Sequence, residues 1–172
     1  MNELETRLTA LEAQVRQLTD CEAIRQILAR YGPLADSANN DARRLKAGAL
    51  FADKGVYDLG DNWSATGPEA IGELLNDPQH IELIAKGSAH VMGLPYITLQ
   101  GDSASALSYS RVYRHEDGEF TVWRVSINYW QLVRSVGDWK VMRRTTRLLN
   151  GSDEAYALLL KVDIEPDSDV TE

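Results

Sequence analysis

With a single cysteine in 172 residues, the chain has no intrachain disulfide open to it, which agrees with a reducing compartment. No apolar run approaches the ~20 residues that span a bilayer, and the opening MNELETRL lacks a signal peptide's apolar centre. A cytoplasmic protein is expected. Positive charge is in short supply, because 18 Lys and Arg against 26 Asp and Glu leave a formal net charge of −8. Nucleic acid and anionic membrane surfaces would therefore be repelled. Metal-binding spacings are missing too: His80, His90 and His115 are scattered, with neither Cys-x-x-Cys nor His-Glu-x-x-His. Nor is there a Gly-rich phosphate loop or a Gly-x-Ser-x-Gly elbow, which speaks against nucleotide and serine-nucleophile chemistry. No metal and no other cofactor is expected. What remains is acid–base work by His, Asp, Tyr and Arg.

Hydrophobic residues make up 44% of the chain and charged ones 26%, the balance of one globular domain. Seven of the acidic residues fall between Asp153 and Glu172, so the body of the domain is closer to neutral. We divide the chain into an amphipathic helical extension (1–20), an α+β domain (21–150) and an acidic tail (151–172), with KVDIEPDSDVTE expected to be disordered.

In the extension, Leu4, Leu8, Leu11, Val15 and Leu18 alternate at spacings of four and three, a short heptad seam. It is expected to pack on a neighbouring subunit or back on its own domain. Next, AIRQILARYGPLAD predicts a helix whose apolar face runs out through Gly32 and Pro33 to Asp36. A helix start is signalled at Asn40 or Asp41, a strand by KGVYDLG, and helices by PEAIGELLN and HIELIAK. From Ser88 onward, AHVMGLPYITLQ, SASALSYSRVYRH, FTVWRVSINYWQLVRS and DWKVMRRTTRLL read as strands, separated by GDS, EDGE and SVGD turns. Helices followed by an antiparallel meander give an α+β layer packing.

Asp36 closes a helix, where the negative end of the dipole disfavours a carboxylate and is expected to raise its pKa. It is a candidate base, with an Asx turn or cap as the plainer role. His90 opens the first long strand, and histidine is the side chain most easily tuned for proton transfer. His80 and His115 are expected to be solvated. Strand alternation puts Arg124, Ser126 and Asn128 on one face, with Trp123, Val125, Ile127 and Tyr129 on the other. Ser126 and Asn128 are thus candidate substrate contacts. In the last strand Arg143 and Arg147 share one face and Arg144 takes the other; one of them is a candidate partner for an oxyanion or for Asp36.

AIRQILARYGPLAD, SAHVMGLP and DWKVMRRTTR together resemble the SnoaL-like branch of the nuclear transport factor 2-like superfamily over roughly residues 3 to 150. That resemblance implies a cone-shaped α+β barrel (a cystatin-like fold), its curved antiparallel sheet wrapped around N-terminal helices, with a deep pocket. It also implies roles. Asp36 and His90 match the Asp–His dyad of the hexachlorocyclohexane dehydrochlorinase type, and Arg144 its last-strand arginine. Tyr31, five residues before Asp36, matches a tyrosine of the bile-acid 7α-dehydratase type, and in that comparison Arg147 takes the place of the arginine. Ser126 and Asn128 stand two apart like a Ser and Asn of scytalone dehydratase. The expected function is a cofactor-independent, dehydratase-like lyase acting on a small apolar, aromatic or steroid-like molecule. Its candidate catalytic residues are Asp36, His90, Tyr31 and Arg144, with Ser126, Asn128 and Arg147 as substrate contacts. A polyketide or steroid cyclase or isomerase, or a binding module without chemistry, is the alternative. A homodimer or homotrimer is expected.

Overall fold

A computed structural model describes residues 2–60 and 63–163. One helix, α1, runs unbroken from Glu3 to Asp36, so the extension and the first domain helix are a single element. Asn2 starts it with a capping box: its side chain accepts from the Glu5 amide at 2.8 Å, and the Glu5 carboxylate accepts from the Asn2 amide at 2.8 Å. Pro33 lies inside the helix although it removes one backbone donor. The last turn persists because Leu34 and Ala35 are buried and Asp36 is tied to a strand.

Two short helices follow, α2 (Asp41–Gly48), capped by Asn40, and α3 (Pro68–Glu73), which begins on Pro68. A third, α4 (Pro78–Lys86), is capped by Asp77. Strands β1 (Phe51–Asp58) and β2 (Ser64–Thr66) form a hairpin between α2 and α3. The expected single strand over AHVMGLPYITLQ is in fact two, β3 (Ser88–Met92) and β4 (Tyr96–Gln100), broken around Gly93 and Pro95. Three long strands complete the sheet: β5 (Ser103–Glu116), β6 (Glu119–Ser135) and β7 (Asp138–Leu148).

The sheet order is β2-β1-β7-β6-β5-β3, with β4 pairing the other half of β5. The meander is thus correct for β4, β5, β6 and β7, while β3 pairs with the far half of β5 and β1 joins β7 in parallel. The result is a curved, unclosed seven-strand sheet with α1 lying across its concave face. Ile24, Leu28, Tyr31 and Ala35 of α1 meet Trp130, Leu132 and Val141 there.

Two irregularities in register decide which side chains face inward. Opposite Val112 and Tyr113, β6 carries Trp123 as an extra residue, so alternation breaks and Trp123 and Arg124 both reach the inner side. The expected placement of Trp123 on the outer face is corrected by this bulge. In β7, Met142 is the extra residue between Val141 and Arg143. It keeps Trp139 and Val141 inward and brings Arg144 and Thr146 inward after them.

Beyond residue 150 the chain adds a helix, α5 (Asp153–Leu159), packed through Ala155 and Leu158 on Ile127 and Tyr129 of the outer sheet face. The boundary at 150 therefore does not mark the end of the fold. Of the tail expected to be disordered, residues 164–172 lie outside the described ones, and Leu160–Asp163 form a 3-10 turn. No helix among the described residues is long and apolar enough to cross a membrane.

Candidate active site

Gly32 lets the end of α1 touch β3. A Cβ there would lie 2.1 Å from the carbonyl oxygen of His90, so only glycine permits this approach. One turn later Asp36 meets the same strand. Its Oδ2 accepts from the His90 backbone N–H at 2.7 Å, while Oδ1 accepts from Ser88 Oγ at 2.7 Å and contacts His90 Nδ1 at 2.7 Å. A carboxylate can only accept, so His90 carries a proton on Nδ1, which leaves Nε2 as the basic nitrogen of the neutral ring. Both side chains are largely buried.

Burial pushes the Asp36 carboxyl upward, but the His90 ring, the His90 amide and Ser88 together outweigh it, leaving the pKa below its usual 3.8. The expected upward shift from the helix dipole is overturned by these donors. A depressed folded-state pKa contributes stability that is present above the unfolded value and lost as pH falls through the folded one. Urea unfolding should therefore show stability dropping from about pH 5 downward. In Asp36→Asn that slope should be shallower; an unchanged slope would contradict the assignment.

His90 opens onto a cavity of about 90 Å³, floored by the sheet and covered by Leu59, Trp63, Leu74 and α4. His80 and Leu83, three apart on α4, line it. His80 was expected to be solvated, yet its Nε2 donates to the Ala35 carbonyl at 3.0 Å and its ring centroid lies 5.5 Å from that of His90. Burial, with the neighbouring His90, lowers the His80 pKa against the opposing pull of the Ala35 carbonyl, Asp36 and Asp77. A neutral ring that donates through Nε2 retains Nδ1 as an acceptor. The third histidine, His115, is also not free in a turn: it ends β5, with its ring 4.9 Å from Phe120.

At the far wall stands Arg144, 3% exposed. Its guanidinium lies 4.0 Å from the Tyr31 ring, 4.3 Å from Trp130 and 4.5 Å from Tyr57. Asn128 Oδ1 accepts from Nε at 3.1 Å, from Nη2 at 2.8 Å and from Thr146 Oγ1 at 2.8 Å. Register accounts for this cluster, because Asn128 pairs with Ser108 on one side and Thr146 on the other. Arg144 makes no ion pair among the described residues, and its Nη1 is buried without a hydrogen-bond partner, as is Ser126 Oγ. Tyr31 is held protonated: burial, then Tyr57, raise its pKa against the opposing charge of Arg144.

Five of the seven sequence-derived candidates, Asp36, His90, Tyr31, Arg144 and Ser126, thus converge on this cavity or its immediate wall. Asn128 is fully buried behind the wall and holds Arg144. Arg147 is elsewhere: on the outer face it binds Asp58 at 2.9 Å and Glu154 at 2.9 Å, tying α5 to β1. It is not among the cavity-lining residues. Sequence reasoning missed Tyr57, Trp123 and His80 as cavity residues, and no local spacing in the chain marks the last.

A SnoaL-like domain model matches residues 16–145. The chain belongs to the SnoaL-like family. This SnoaL-like protein is 40% identical to an NTF2-like protein with a cystatin-like fold from Novosphingobium aromaticivorans, covering 88% of this chain and 96% of that one, with a TM-score of 0.83. A second Novosphingobium aromaticivorans protein, provisionally named a scytalone dehydratase, is 21% identical over 77% of this chain and 85% of its own, with a TM-score of 0.62. A variant of Rv3472 from Mycobacterium tuberculosis, of unknown function, is 17% identical over 86% and 88%, with a TM-score of 0.68. These last two share the fold. No curated protein matches the chain.

Proposed function

We propose that this protein is a cofactor-independent lyase that removes a proton from carbon next to a carbonyl and expels a β-hydroxyl group as water. The observation that carries this reading is the Asp36–His90 pair, with Nδ1 fixed by a 2.7 Å contact and Nε2 left at the cavity. His90 Nε2 takes the proton, the C–H electron pair forms a carbon–carbon double bond, and the carbonyl oxygen becomes an enolate. Arg144 Nη1 and Ser126 Oγ, both without partners, supply the donors that such an oxygen needs. The enolate then re-forms its carbonyl, and the departing hydroxide leaves as water with the proton from His90. His80 Nδ1 offers an acceptor for the hydroxyl while it is still bound. Asp36 is a positioning residue: it sets the tautomer of His90 and balances the imidazolium.

A cavity of about 90 Å³ falls well below the roughly 300–1,000 Å³ of sites for drug-sized ligands. That favours a molecule of one or two rings over a steroid. The aromatic walls from Tyr31, Tyr57 and Trp123 suit a flat, apolar body.

The test is turnover of small cyclic β-hydroxy ketones, followed by absorbance of the conjugated product. Asp36→Asn is expected to lower kcat/KM by about 10²–10⁴ through loss of the correct tautomer. A pocket that binds these ketones, with no turnover by the wild type, would make this protein a binding module instead.

A further inference from the structure

The first half of α1 does not fold back on its own domain. Leu4, Leu8, Leu11, Val15 and Leu18 are 75%, 54%, 55%, 61% and 69% exposed, and the first fully buried residue of the helix is Ile24. The projecting part, Glu3 to Leu18, is about 24 Å long at 1.5 Å per residue. Its direction is fixed at the domain edge by Asp20, which accepts from Arg134 at 2.7 Å and from Trp139 Nε1 at 3.0 Å. A lone amphipathic helix of this length is marginal in water, so its apolar seam calls for a partner.

We propose that the partner is the same segment of a second copy of this chain, aligned in parallel and in register as a short coiled coil. In heptad terms Leu8 and Val15 occupy a, and Leu4, Leu11 and Leu18 occupy d. Leucine fills every d position and the β-branched Val15 fills one of the two a positions, the combination at that heptad being the two-stranded pattern. Flanking charge sets the direction. Position g holds Arg7 and Gln14, and position e holds Glu5 and Glu12. A parallel pair brings Arg7 of each chain to Glu12 of the other, giving two attractive contacts. An antiparallel pair would place Leu4 by Val15 and set Glu5 of each chain against Glu12 of the other, giving two repulsive contacts. The symmetric pairing also leaves both cavities free, since α1 enters its domain beyond Asp20.

The experiment uses the full chain with Cys21→Ser, to which Leu4→Cys, Val15→Cys or Leu18→Cys is added singly. After mild oxidation, Leu4→Cys and Leu18→Cys should each give a covalent dimer on a non-reducing gel. Arg7→Glu should weaken the dimer in sedimentation velocity, and adding Glu12→Arg should restore it. The proposal is overturned by a monomer at tens of micromolar. It is also overturned by an oligomer in which neither Leu4→Cys nor Leu18→Cys cross-links with itself, or by cross-linking that needs a mixture of Leu4→Cys and Val15→Cys chains.

Discussion

Replacing His90 with glutamine is expected to cut turnover by about 10²–10⁴ while the fold persists. Glutamine has no basic nitrogen, so the proton on carbon has no acceptor. The backbone N–H at position 90 and the Ser88 hydroxyl still bind Asp36, each at 2.7 Å in the wild type. Circular dichroism and thermal unfolding should therefore change little, which separates lost chemistry from lost structure. Ligand binding should survive as well, because the oxygen-binding side of the cavity is formed by Arg144 and Ser126. A His90→Gln protein that still turns over at more than a tenth of the wild-type rate would remove the imidazole from the mechanism.

Gly32→Ala is expected to destabilise the protein by about 3 kcal/mol or more, against the local preference of the helix. In an open helix this change gains roughly 1 kcal/mol, since alanine is the better helix former. Here the new methyl would overlap the His90 carbonyl oxygen, at 2.1 Å, and lie 3.2 Å from its carbon. Backbone atoms cannot rotate out of the way, so α1 and β3 must separate. The melting temperature should fall by about 6–12 °C, and activity should fall with it because Asp36 and His90 sit across that same contact. A rise in melting temperature would show that helix preference outweighs the contact.

Much of this arrangement was legible in the sequence, for reasons of period and spacing. The three-and-four rhythm up to Tyr31 located the buried face of α1, and the turn residues separated β5, β6 and β7. Alternation grouped Ser126 with Asn128 on one face, which the structure shows to be the inner one, and set Arg144 opposite Arg147. Three kinds of information were not local. A bulge adds one residue without any composition signal, so Trp123 crossed faces. The environment of His80 depends on where α4 lies over the sheet, which no spacing within α4 specifies. Asp36 was expected to feel its own helix most strongly, but two donors from β3 and the His90 ring reverse the sign. The helix in the acidic segment was signalled by AYALLL, whose Ala155 and Leu158 share one face, and was obscured by the surrounding charge.

Proton removal by His90 can be read without knowing the natural reaction. Small cyclic ketones that bind the cavity, incubated with the protein in D₂O, should gain deuterium at the carbon next to the carbonyl, as followed by mass spectrometry. The expected result is catalysed exchange with the wild type and loss of that exchange with His90→Gln. Equal exchange by both proteins, or no exchange from a wild type that binds the ketone, would contradict it.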